Sequence, residues 1–150
     1  MITTMQRERS RFFKFAMVGV LGAIVDFGVF NLLVNGFHLQ AVPSSVVSFT
    51  CAIISNFLWN RFWTYPDSRS KRIHHQVVQF IMVSVIGLVI RTPLFAFLEP
   101  NLIGFFTRLN LPVPVSARFL GHNVSLAIAV IVVMFWNFFA NRYWTYSDIQ

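Results

Sequence analysis

Four apolar runs, at residues 12–34, 43–62, 77–98 and 119–140, occupy most of the 150 positions of this chain. Each is about 20 residues long, which is what an α-helix needs to cross a hydrocarbon core of about 30 Å. A helix satisfies its backbone N–H and C=O groups inside its own segment, whereas a lone strand in lipid leaves them bare. The runs therefore predict an all-α membrane protein with four transmembrane helices in a single domain over residues 1–150. Only 11% of the residues are charged, against about 25% in soluble domains, which agrees with burial in lipid. The first run follows a basic stretch and so imitates a secretion signal. It is longer than a usual signal core and contains Asp26, and a retained helix is the expectation.

The net charge of +7 would suggest nucleic acid in a soluble protein, but its distribution points elsewhere. Arg7, Arg9, Arg11 and Lys14 flank the first run, while Arg61, Arg69, Lys71 and Arg72 lie between the second and third. The connection from Asn35 to Ala41 contains no Lys or Arg, and the stretch from Glu99 to Arg118 contains only Arg108 and Arg118. Basic residues collect on the cytoplasmic side of membrane proteins, so both termini and the central loop are predicted to be cytoplasmic. The basic loop reads as a topology and lipid-headgroup signal, with no nucleic-acid partner.

Two halves of the chain resemble one another. The segment SNFLWNRFWTYPD, Ser55 to Asp67, aligns with WNFFANRYWTYSD, Trp136 to Asp148, at an offset of 81. The first and third runs align at an offset of 65, with Phe15 over Phe80, Met17 over Met82, Val18 over Val83, Val20 over Val85 and Gly22 over Gly87. Each half holds two spans, so the expectation is two helical hairpins related as parallel repeats about an axis along the membrane normal. The longer connection EPNLIGFFTRLNLPVPVSAR carries Pro100, Pro112 and Pro114. These predict that no single long helix runs through it, with a short interfacial or re-entrant helix between Asn101 and Asn110 instead.

At the offset of 65, Asp26 falls over Arg91. Both lie 14 positions past the start of their runs, about 21 Å along a helix and beyond the midplane. A central Asp or Arg costs about 2.5–3.5 kcal/mol to insert, and opposite charges at equal depth offset one another. The pair is predicted to face the bundle interior and to interact. It reads either as a structural ion pair or as a site where Arg91 meets an anionic substrate with Asp26 as resting partner.

Asn56 and Asn60, like Asn137 and Asn141, are four residues apart and share a helix face. Amides in lipid need partners across helices or a wet cavity. Arg61 and Arg142 follow them at the predicted cytoplasmic ends, among Trp63, Tyr65, Trp144 and Tyr146. An arginine at a helix C-terminus and an aromatic belt have an ordinary structural explanation; the asparagines do not. Amides with guanidinium groups make a donor-rich floor suited to phosphate and sugar hydroxyls. Arg118 is a further candidate at the other face. No nucleophile elbow, Gly-rich phosphate loop or metal-ligand spacing is present. The single cysteine, Cys51, lies in a membrane run, and neither a cofactor nor a metal is expected.

The opening FFKFAMVGVLGAIVDFGVFNLL, Phe12 to Leu33, together with SNFLWNRFWTY and its second copy, resembles the GtrA-like family of small membrane proteins. Arg91 departs from the first half, where the matched position is acidic. The resemblance implies a flippase in the inner membrane of a bacterium. Such a protein moves polyprenyl-phosphate-linked (undecaprenyl-type) sugars to the outer leaflet for polysaccharide or lipid glycosylation. The charged and amide residues read above fit such a role, with substrate contacts expected at Asp26, Asn56, Asn60, Arg61, Arg91, Arg118, Asn137, Asn141 and Arg142. The expected partners are membrane lipid and either a second copy or a membrane glycosyltransferase. The family's relation to the small stabilising subunit of dolichol-phosphate-mannose synthase implies, as an alternative, a non-catalytic subunit of such a transferase. A small proton-coupled cation or drug exporter is a third reading, opposed by the fixed positive charge of Arg91.

Overall fold

The computed structural model describes residues 4–64 and 72–140. Four helices make up the fold: α1 (Thr4–Asn31), α2 (Ala41–Trp59), α3 (Ile73–Leu109) and α4 (Ala117–Ala140). A π-helical turn, Leu32–Gly36, continues α1, and another, Asn60–Thr64, continues α2. With those turns included, all four are long and apolar enough to cross a membrane. The protein is thus an all-α membrane protein with four spans.

The ends of the helices follow from local chemistry. Ser116 precedes α4, and its Oγ accepts the Phe119 N–H at 3.1 Å, occupying one of the free donors of the first turn. Asn110 closes α3 in the left-handed conformation, φ 44°, which asparagine tolerates better than most residues. Pro43 sits in the first turn of α2, where a missing N–H costs no intrahelical bond.

The third span differs from the sequence expectation. Pro93 and Pro100 both lie inside α3, which runs unbroken for 37 residues, about 55 Å at 1.5 Å per residue. The predicted separate helix at 101–110 is the last part of α3, and only Pro112 and Pro114 lie beyond its end. Each internal proline removes one intrahelical bond and frees the carbonyl four residues earlier, that of Val89 for Pro93 and of Ala96 for Pro100, while side chains farther along bond to other carbonyls of the helix. Asn101 Nδ2 donates to Phe97 O at 2.6 Å, and Thr107 Oγ1 to Ile103 O at 2.7 Å.

The closest packing is of α1 on α2 and of α3 on α4, and the two hairpins meet chiefly through α2 against α3 and α1 against α4. This places α1 and α3 on a diagonal, bridged by long side chains. The outer surface is apolar: Phe12, Ile24, Val89 and Phe97 are each more than 60% exposed, as a lipid-facing surface requires. The interior is unusually polar, with Asp26, Ser44, Ser45, Ser48, Thr64, Arg91, His122 and Ser125 all buried. That inversion directs attention to the centre of the bundle.

Candidate functional site

Arg91 is 1% exposed and Asp26 3%. Their side chains form a bidentate ion pair across the diagonal from α3 to α1. Arg91 Nη1 donates to Asp26 Oδ2, and Nη2 donates to Asp26 Oδ1 at 2.7 Å. Two adjacent turns of α2 complete the arrangement. Ser48 Oγ donates to Asp26 Oδ1 at 2.6 Å, and Arg91 Nε donates to Ser45 Oγ at 3.1 Å. The guanidinium carbon also lies 4.8 Å from the centre of the Phe49 ring, a cation–π contact strengthened by desolvation. A buried charge is tolerated only when paired and hydrogen-bonded, and both conditions hold here.

The serines belong to a longer stripe. Ser44, Ser48, Ala52, Asn56, Asn60 and Thr64 recur at every fourth residue of α2 and its π turn, the spacing of a single helix ridge. Of the six, only Ala52 is apolar. Asn56 packs directly over Gly22 of α1, where a Cβ would meet its Oδ1 at 2.3 Å; glycine is what admits the amide. Asn56 Oδ1, Asn60 Oδ1, Thr64 Oγ1 and Asn137 Oδ1 are buried acceptors without a hydrogen-bond partner. Each such group costs about 1–3 kcal/mol, a cost concentrated toward the end of the bundle that holds the start of α1 and the end of α4.

One turn toward the loop end, Phe30 meets Phe95 edge-on at 5.5 Å. With Leu126 and Ala129 they form a buried apolar layer. Beyond it lies a cleft of about 580 Å³, lined by Asn35, His38, Gln40, Glu99, Ser116, Arg118, Phe119 and His122 among others. His122 Nε2 is 2.9 Å from Glu99 Oε1, and the His122 ring stands edge-on to Phe30 at 6.1 Å. Beside them Asn31 and Asn123 exchange amide hydrogen bonds of 2.8 and 3.1 Å. The order along the bundle is therefore polar cleft, apolar layer, ion pair and amide-lined end.

Residues 14–146 match the model of the GtrA/DPMS transmembrane domain. The chain belongs to that family. It is 32% identical over 135 residues to the uncharacterized membrane protein YngA of Bacillus subtilis, covering 90% of this chain and 78% of the relative. It is also 30% identical over 86 residues to a dolichol-phosphate mannosyltransferase of Pyrococcus furiosus, covering 55% of this chain but 23% of that enzyme. No solved structure matches the chain.

Within this GtrA/DPMS domain the structure brings Asp26 and Arg91 together, as their equal depth in the sequence alignment required. Asn56 and Asn60 lie inward on the α2 stripe and Asn137 on α4, while Arg61 is half-buried beside them. Arg118 is exposed on the rim of the cleft, separated from Arg91 by the phenylalanine layer. Asn141 and Arg142 lie outside the described residues. Sequence reasoning missed Ser45, Ser48 and Phe49 around the ion pair, and Glu99 opposite His122. The fourfold spacing of Ser44, Ser48, Asn56 and Asn60 was the signal that pointed to the stripe. The offset of 65 would also have paired Phe30 with Phe95.

Proposed function

We propose that this GtrA/DPMS domain moves a polyprenyl-phosphate-linked sugar from the cytoplasmic to the outer leaflet of a bacterial inner membrane, acting as a transporter rather than an enzyme. The destination would be cell-surface polysaccharide or lipid glycosylation. The observation that carries the reading is the guanidinium of Arg91, buried near the Ser44 end of a polar stripe that runs from Ser44 to Thr64. A phosphodiester is an anion of the kind that guanidinium forks bind, and it would take the place of Asp26. Ser48 can keep its bond to Asp26 during the exchange, so that the released carboxylate stays hydrogen-bonded.

At the terminus end, taken as cytoplasmic from the basic residues around it, the unpartnered oxygens of Asn56, Asn60 and Asn137 accept hydrogens that sugar hydroxyls supply. Arg61 and Arg142 would receive the phosphate there, and Arg118 would meet it on leaving. The lipid tail stays in hydrocarbon while only the headgroup crosses. An inside-negative potential favours outward movement of an anion by about 2.3 kcal/mol per charge per 100 mV. Four helices enclose little volume, so a second copy or a transferase would complete the path.

The test uses the purified protein in liposomes, assayed for transbilayer movement of polyprenyl-phosphate sugars. Movement by the pure chain, abolished in Arg91→Ala and in the doubly neutral Asp26→Asn/Arg91→Gln variant, supports the reading. The double variant leaves no unpaired charge and so separates lost chemistry from lost folding. Absence of movement with every lipid-linked sugar tried would sink it.

A second reading, a membrane subunit that stabilises a polyprenyl-phosphate glycosyltransferase, is favoured by the similarity to the mannosyltransferase. It predicts that the doubly neutral variant still supports the partner enzyme fully.

A further inference from the structure

We infer that the cleft at the loop end is a second ligand site, one that holds a sugar joined to a singly charged phosphodiester. Its 580 Å³ falls within the range of about 300–1,000 Å³ typical of small-molecule sites. Both hairpins contribute to it: His38 and Gln40 come from the α1–α2 connection, Glu99 from α3, and Ser116 and Arg118 from the start of α4. Its floor is the apolar phenylalanine layer, since Val34, Ala41 and Val42 pack against that layer and also line the cleft.

The charge inventory selects the ligand. Glu99 is held in a hydrogen bond with His122, and Arg118 is the one guanidinium among the described residues that line the cleft. One fixed cation matches one phosphodiester charge. Around it stand an amide, a hydroxyl and an imidazole, which offer both donors and acceptors as a polyhydroxylated ring requires. Phe119 adds an aromatic edge.

A second observation sets His38 apart from an ordinary loop residue. Its φ is 56°, a left-handed conformation that costs a side-chain-bearing residue about 1–2 kcal/mol. Asparagine and glycine would adopt it more readily, and such strain concentrates at ligand sites.

The sugar phosphodiester is named on the strength of the translocation reading, with the cleft as the place where the headgroup pauses after passing Phe30 and Phe95. The same chemistry reaches the cleft from two sources, a membrane lipid or a soluble phosphosugar. The experiment is calorimetric titration of the full chain in nanodiscs with three probes. These are inorganic phosphate, a panel of soluble hexose phosphodiesters (hexose 1-methylphosphates), and the same hexoses on a short prenyl phosphate.

The expected result is saturable binding of at least one soluble phosphosugar, at least tenfold tighter than phosphate. Arg118→Gln weakens it tenfold or more. His38→Gly, which relieves the backbone and removes only the ring, weakens it severalfold. Binding of the prenyl-linked form alone, with the same dependence on Arg118, also supports the site and assigns it to lipid. Binding of no probe, or binding indifferent to both substitutions, overturns it. Cleft binding without transport leaves this inference standing and removes the translocation reading. Transport with undiminished binding in Arg118→Gln does the reverse.

Discussion

The stripe on α2 reads Ser44, Ser48, Ala52, Asn56, Asn60. The series at the offset of 81 reads Ser125, Ala129, Val133 and Asn137 on α4, with Asn141 beyond the described residues. Both stripes run from a buried serine to an asparagine, but they differ one turn after the serine. Ser48 bonds to the Asp26 carboxylate, whereas Ala129 and Val133 are buried in apolar contact. The close approaches differ in the same sense. In the first hairpin the tight contact is Gly22 against the Asn56 amide, the movable end of a side chain. In the second it is Gly121 against the backbone of Ile103, with N at 2.8 Å and Cα at 2.9 Å from an added Cβ. At these close contacts the first hairpin can yield and the second cannot.

The comparison can be broken most forcefully at the ion pair. Asp26→Leu strands Arg91 in the interior and is expected to cost about 3–5 kcal/mol, read as a large fall in the thermal midpoint in detergent. The doubly neutral variant should recover most of that loss. A single substitution as mild as a surface change would mean that Arg91 finds another partner and that α2 is not organised around it.

Gly121→Ala comes next. The added methyl meets backbone that cannot swing aside, and overpacking of this kind costs about 1–3 kcal/mol, here toward the upper limit. Gly22→Ala, by contrast, should cost under about 1 kcal/mol because Asn56 can rotate. Equal losses in the two variants would erase the distinction between a yielding and a rigid hairpin.

Ser48→Ala gives α2 the residue that α4 carries at the matched position. It removes a hydrogen bond to a charged group, worth about 1.5–3 kcal/mol, and should destabilise by about 1.5 kcal/mol. The smallest effect is expected from Ala129→Ser. Its hydroxyl can bond back to the carbonyl four residues earlier, as Ser125 does to Gly121 O at 2.6 Å, so the shift should stay under about 1 kcal/mol. Thermal unfolding of the pair side by side sharpens the comparison, and a reversed order would refute it.

The presence of four spans and the Asp26–Arg91 partnership were legible because each rests on a cost that the sequence exposes. Hydrocarbon length sets the first, and the penalty for a lone charge in lipid sets the last. The unbroken α3 was not legible. Proline counts as a helix breaker, yet α3 continues through Pro93 and Pro100, each removing only the one bond to the carbonyl four residues earlier, a loss that packing within the bundle tolerates. Membership of the GtrA/DPMS family was legible from Phe12–Leu33 and the doubled Asn-Arg phrase, because those are patterns of residue identity.

By itself, then, the amino-acid order determined that this chain lies in a bilayer, crosses it four times, and must bring one acid to one base. The three-dimensional packing alone decided who attends that pair, namely Ser45, Ser48 and Phe49 from a single helix. It also decided that Phe30 and Phe95 close it off from the cleft beyond. The reason is physical: a lipid solvent sorts residues by cost of insertion, which is additive along the chain. Hydrogen bonds and ring contacts instead depend on which helix face turns toward which neighbour, a choice made only when all four helices meet.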